Sequence, residues 1–194
     1  MKTAVALLAA AVLAGCSGAD GAEESAPPAA PAEATAPAPA APSAVTDPQI
    51  AAIVVAANEV DIQTGELARE RASDPRVKEF AERMITDHTG VNQAAAELVG
   101  RLGVTPEPNP TSQQLRQGGE ESRTALQAQS GAAFDRAYLE REVEYHRAVL
   151  EALDQTLIPG AQNAELRQLL EQTRPAIEAH LQHAERLRDE LGAA

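Results

Sequence analysis

From Pro48 onward this 194-residue chain predicts an all-α domain, a four-helix bundle with one long crossover connection. Three observations carry that prediction. Apolar residues recur at spacings of three and four along four long segments, the period of a helix with one buried face. Proline and glycine fall between those segments instead of inside most of them. Alternation with period two, the mark of a half-buried strand, is missing, and β-branched residues are sparse.

The first helix starts at Asp47-Pro48, a capping residue followed by a first-turn proline, and runs to about Ala72. Its stripe is Ile50, Ile53, Ala57, Val60, Thr64 and Leu67. Asp74-Pro75 repeats the start signal at once, so the second helix follows through a tight turn. Val77, Phe80, Ala81, Met84, Val91, Ala95, Leu98 and Leu102 form its apolar face, and Gly103 ends it. A polar connection follows, opened by Pro106, Pro108 and Pro110. It is expected to hold a modest helix, with Gly118-Gly119 marking a break. The third long helix spans about Ala132 to Leu157 through Phe134, Tyr138, Leu139, Val149, Leu150 and Leu153, and Pro159-Gly160 stops it. The fourth runs from about Asn163 to Leu191, with a kink expected near Thr173 because Pro175 removes a hydrogen bond. Two tight hairpins joined by a long connection give the ferritin-like arrangement of a bundle with one crossover.

The front of the chain has a different chemistry. Lys2 and the short apolar run Ala4–Val12 read as an export signal, too short to span a bilayer. Leu13-Ala14-Gly15-Cys16 matches a lipobox, which makes Cys16 the expected lipidation site and residues 1–16 a lipoprotein signal peptide. Cys16 is the single cysteine, so no internal disulfide can form and stability must come from packing. One acyl chain binds membranes only marginally, so firm anchoring implies the several chains that bacterial lipoproteins resemble in carrying. Ser17 after the cysteine is similar to the sorting pattern for the outer membrane. Residues 17–47, rich in Ala and Pro, offer no apolar face and read as a disordered tether that holds the domain in the periplasm. The formal charge of −13, with two Phe, two Tyr and no Trp, excludes nucleic acid as a partner and disfavours anionic headgroups. Membrane contact is expected through lipid alone.

Several stretches of the helical domain are shared with a known family. They are Asp61-Ile62-Gln63-Thr64-Gly65-Glu66-Leu67-Ala68, Val77-Lys78-Glu79-Phe80-Ala81, Met84-Ile85-Thr86-Asp87-His88 with Asn92, and Gly131-Ala132-Ala133-Phe134-Asp135-Arg136-Ala137-Tyr138. His146 and the pair Pro175 and His180-Leu181 belong with them. Over about Asp47 to Leu191 the chain resembles the exported bacterial proteins of the domain of unknown function 4142 family, Met-x-x-Asp-His being the most specific piece. The resemblance implies a ferritin-like fold and an exported location, and no established activity.

Five ionisable side chains fall on faces that the stripes should bury. On a helical wheel these are Asp61 in the first helix, His88 in the second, Glu142 and His146 one turn apart in the third, and His180 in the fourth. Each stands about 10 to 14 residues from a helix end, so all five can meet near mid-bundle. Imidazole and carboxylate together suit iron, manganese or zinc. Two buried carboxylates without compensation would cost several kcal/mol each, which a metal or a protonated histidine would offset. The di-iron pattern of two Glu-x-x-His motifs is missing, since Ile85 and Val143 stand three residues before His88 and His146. A metal-free alternative pairs His88 with Asp61 or Glu142 in a hydrogen-bonded layer that sets helix register. His183 reads as surface, Asn92 as orienting a ring or backbone, and Tyr138 and Tyr145 as core residues able to reach a carboxylate. No catalytic nucleophile motif is present. The first reading is therefore a non-enzymatic envelope lipoprotein with a metal-binding cluster. The second is a metal-free structural or stress-related interaction module, and the third a redox enzyme with an unusual metal centre.

Overall fold

The computed structural model describes residues 45–192; the export signal, Cys16 and nearly all of the tether lie outside them. Among the described residues there are helices and no strand. The long helices are α1 (Asp47–Arg71), α2 (Pro75–Leu102), α3 (Pro110–Gln127), α4 (Gly131–Ala152) and α5 (Ala164–Gly192). A π turn at Leu153–Leu157 and a last turn at Ile158–Gly160 continue α4. No helix among the described residues is long and apolar enough to cross a membrane. α1 packs mainly on α2, and α4 on α5. α2 also meets α5, and α1 meets α4, which closes a ring of four helices.

The expected connection is mostly helix. α3 lies along α1 and touches α4. With α3 on one side and its bundle neighbours on others, α1 buries Ala51, Ala52, Val54 and Ala56 as well as Ile50, Ile53, Val60 and Thr64 of its stripe. A helix that is apolar nearly all round must be covered on several sides. Gly118-Gly119 does not break α3. Gly119 is buried against α1, and a Cβ there would stand 2.7 Å from Val60 Cγ2. The glycine permits that close approach.

The caps differ from expectation in one place. Thr46, not Asp47, is the N-cap of α1: its hydroxyl accepts from Gln49 N–H and its own N–H donates to the Gln49 side chain. Asp47 is thereby free to accept from the backbone N–H groups of Gln162 (2.8 Å) and Asn163 (2.9 Å) in the α4–α5 turn. The other hairpin mirrors this. Asp135, buried near the start of α4, accepts from Ser73 N–H (2.8 Å), Asp74 N–H (2.9 Å) and the Ser73 hydroxyl in the α1–α2 turn. Asp74 and Asn109 cap α2 and α3, each ahead of a proline. Gly103 ends α2 and Gly131 opens α4, both at positive φ. α5 runs through Pro175 without interruption.

Two apolar clusters fill the interior. One gathers Val77, Phe80, Met84, Phe134, Tyr138, Leu139 and Leu187, with Tyr138 stacked on Phe134 and edge-on to Phe80. Burying a side chain of this size is worth roughly 1.5–3 kcal/mol. The other gathers Ile50, Ile53, Leu98, Leu153, Leu157, Leu170 and Ile177. On each of α1, α2 and α5, one buried ionisable residue separates the two clusters.

Candidate metal centre at the waist of the core

Asp61, His88, Glu142, His146 and His180 are all buried, and they meet between the apolar clusters. The three imidazole rings form a near-equilateral triangle, with centroids 5.4, 5.5 and 5.7 Å apart. Each ring commits one nitrogen to a hydrogen bond. His88 Nδ1 pairs with Asn58 Oδ1 at 2.7 Å, His146 Nδ1 with the Glu142 carbonyl at 2.9 Å, and His180 Nε2 with Asp87 Oδ2 at 2.9 Å. Asn58 is held in turn by donating to Asn92 Oδ1 at 3.0 Å. With oxygen acceptors on all three, each ring donates N–H there and keeps a lone pair on the other nitrogen. Those other nitrogens, His88 Nε2, His146 Nε2 and His180 Nδ1, are buried without a hydrogen-bond partner.

One ligand atom from each of the three histidines lies within 4.8 Å of the others. Three nitrogens bound to one zinc at ~2.1 Å stand about 3.4 Å apart, so the rings would close inward by at most roughly 1 Å. The N–H groups pinned to carboxylate, amide and carbonyl oxygens are the outer-shell pattern that orients metal-binding histidines. The residues present therefore fit a divalent transition metal. They also form a second overlapping group, Asp61, Glu142 and His146, again within 4.8 Å.

That second group already has a cation beside it. Arg141 Nη1 donates to Glu142 Oε1 at 2.6 Å and lies 3.8 Å from Asp61 Oδ1. Its Nε donates to Ser122 Oγ on α3 at 2.7 Å, and its guanidinium lies 4.7 Å from the centre of the Tyr145 ring. Burial, and then the nearby Asp61 charge, push the Glu142 carboxyl up to about 7. Asp61 is raised as well, by burial, against the pull of His146 and Arg141. Burial pulls His88 down to about 3, and its histidine neighbours add to the shift. Burial also lowers His180, while its hydrogen bond to Asp87 acts the other way. His88 and His180 are therefore neutral at pH 7, the state in which imidazole ligates metals.

The expected partner of His88 is close: its Nε2 stands 3.5 Å from Asp61 Oδ2, at ion-pair distance but without a hydrogen bond. His146 Nδ1 stands 3.5 Å from Glu142 Oε2 while donating to the backbone instead. Tyr145 donates to the Ala57 carbonyl, and the Tyr138 hydroxyl has no partner. Asn92 orients the His88 ring through Asn58. His183 packs edge-on against Phe80, with ring centres 5.2 Å apart, so it is more than a surface residue. Arg141, Asn58 and Asp87 also hydrogen-bond to the cluster, and the apolar stripes alone do not single them out. Asn58 lies three residues before Asp61, on the same helical face, which is the signal that could have found it.

No curated protein and no solved structure matches the chain. The family described as Domain of unknown function (DUF4142) matches residues 31–187. That match takes in all three histidines, both carboxylates and the residues that hold them, and the chain belongs to this family.

Proposed function

We propose that this protein is a lipid-anchored bacterial envelope protein that holds one divalent transition metal, iron, manganese or zinc, at His88, His146 and His180. Asp61 and Glu142 lie alongside as supporting carboxylates. In this reading α1, α2, α4 and α5 are a ferritin-like four-helix bundle and α3 is an addition that braces Arg141. The role is binding, not catalysis. Cys16 carries the lipid, and the tether displays the domain in the periplasm, with the outer membrane as the favoured site.

One observation carries the metal reading. Three buried imidazoles each spend one nitrogen on an oxygen acceptor and leave the other without a hydrogen bond, and a ligand atom of each lies within 4.8 Å of the others. Leaving one buried polar atom unsatisfied costs about 1–3 kcal/mol. Three in one place are more economically explained by a shared ligand. Arg141 supports a single metal, because it sets a fixed positive charge where a second cation would meet Asp61 and Glu142. The competing reading, a metal-free polar layer that sets helix register, is favoured by that same arginine, which offsets part of the carboxylate charge without any metal.

Elemental mass spectrometry on the untagged chain from Ser17 to Ala194, before and after chelation and reloading, separates the two. About one metal per chain, lost in a His88→Ala, His146→Ala double variant that remains helical, is the expected result. No metal after reloading, with an unchanged melting temperature, would leave the polar layer as the function of the cluster.

A further inference from the structure

A cavity of about 40 Å³ opens against the His88 and Asp61 side of the cluster, inside the second apolar region. Its wall is aliphatic apart from Asn58, Asp61, His88 and Thr173. Two of those four are already engaged in hydrogen bonds within the protein. The Thr173 hydroxyl donates to the Leu169 carbonyl at 2.9 Å, while Asn58 is bonded to His88 through its oxygen and to Asn92 through its amide. Unpartnered polar atoms remain only at the cluster end, Asp61 Oδ1 and His88 Nε2. A buried water needs two to four polar partners, so the aliphatic part of the cavity is unsuited to water. The volume exceeds the ~10–15 Å³ that one water-sized molecule requires on this measure.

The chain makes this space at a specific place. Leu153 and Leu157, the two ends of the π turn, both line the cavity. A π turn adds a residue to one turn of the helix, and such bulges recur beside functional sites.

We propose that this cavity is a binding site for a small neutral apolar molecule of dioxygen's size, held beside the histidine cluster. Apolar walls select against ions and water, and the size selects against anything much larger. Its role as an antechamber to a metal rests on the function proposed above; its ability to bind such a molecule does not.

The test uses the full chain, freed of metal by chelation, with xenon as the probe and methyl NMR as the readout. Saturable xenon shifts are expected at the methyls of Leu153 and Ile177 and not at those of Leu139 and Val143 in the other apolar cluster. In oxygen-saturated buffer the same cavity methyls should show paramagnetic relaxation several-fold stronger than the controls. Val91→Phe, which pushes a ring into the space, should abolish the xenon shifts; Leu153→Ala, which enlarges it, should strengthen them. The second variant keeps the test decisive if the first fails to fold. Absence of xenon shifts in the parent chain, or equal shifts in both clusters, overturns the proposal. Because the protein is metal-free throughout, a negative result leaves metal binding untouched, and a chain that binds no metal can still pass.

Discussion

Replacing Arg141 with Met removes the buried positive charge beside Asp61 and Glu142 while keeping most of the side chain's apolar stem. It deletes a 2.6 Å hydrogen bond to Glu142 and a 2.7 Å bond to Ser122. Removing one partner of a buried ion pair costs about 3–5 kcal/mol, because the other charge stays buried and uncompensated. Here the cost depends on pH. Glu142 titrates at about 7 in the folded protein, so at pH 5 it is already protonated and the arginine has less charge to neutralise. At pH 8 Glu142 carries its charge and the full cost appears. For a domain of this size each kcal/mol shifts the melting temperature by roughly 2–4 °C. The variant should therefore melt about 6–20 °C below the parent at pH 8, and clearly less below it at pH 5. The assay is thermal and urea unfolding by circular dichroism with chelator present. Added zinc or manganese should restore much of the loss at pH 8. A loss under about 1 kcal/mol at pH 8, or equal losses at both pH values, would refute the electrostatic account of this site.

Other substitutions probe separate parts of the structure. Asp87→Asn weakens the anchor of His180 and should lower metal affinity by about 10–100-fold, read by competition with a chromogenic chelator, with little change in helicity. In metal-free protein, Glu142→Gln should leave a stability that falls steadily as the pH drops from 6.5 toward 3. Its sign follows from His88, whose folded value of about 3 lies below its usual 6.5, so the unfolded chain takes up the proton first. The limit of that effect is about 5 kcal/mol by urea unfolding. In the parent chain Glu142 opposes it, losing stability as the pH rises from 4.5 to about 7, so the parent profile should be flatter. Gly119→Ala forces a methyl into Val60 and should cost about 1–3 kcal/mol. Gly118→Ala, which meets open space, should stabilise by up to about 1 kcal/mol, and Val60→Ala should relieve the Gly119 variant in a double-mutant cycle.

Much of this architecture was legible because helix signals are local. Spacings of three and four placed the four longest helices, and Pro48, Pro75, Gly103 and Pro159 placed their ends to within a few residues. The same stripes identified five side chains that face inward. What escaped was tertiary. The apolar run Ile50–Ala57 held a sign that α1 is covered on several sides, but it does not name the covering helix. Gly118-Gly119 looks like a break until Val60 is placed against it. Arg141 escaped for a different reason. A wheel records where Cα–Cβ points, and a residue about 100° from Glu142 falls outside the buried sector. Its long side chain can still fold back to reach the carboxylates. Asn58 and Asp87 act through His88 and His180, a relation that one-dimensional spacing does not encode.

The two aspartates at the turns tie the fold together in time as well as space. Asp47 on α1 holds the turn between α4 and α5, while Asp135 on α4 holds the turn between α1 and α2. Each half of the molecule carries the clasp that fastens the other. Neither hairpin can finish its own bend during folding until its partner has docked, which gathers two local events into one cooperative step. The amides of Ser73, Asp74, Gln162 and Asn163 sit in tight turns, where exchange with solvent is ordinarily rapid. Here their protection should follow the separation of the hairpins, making four loop protons reporters of global opening.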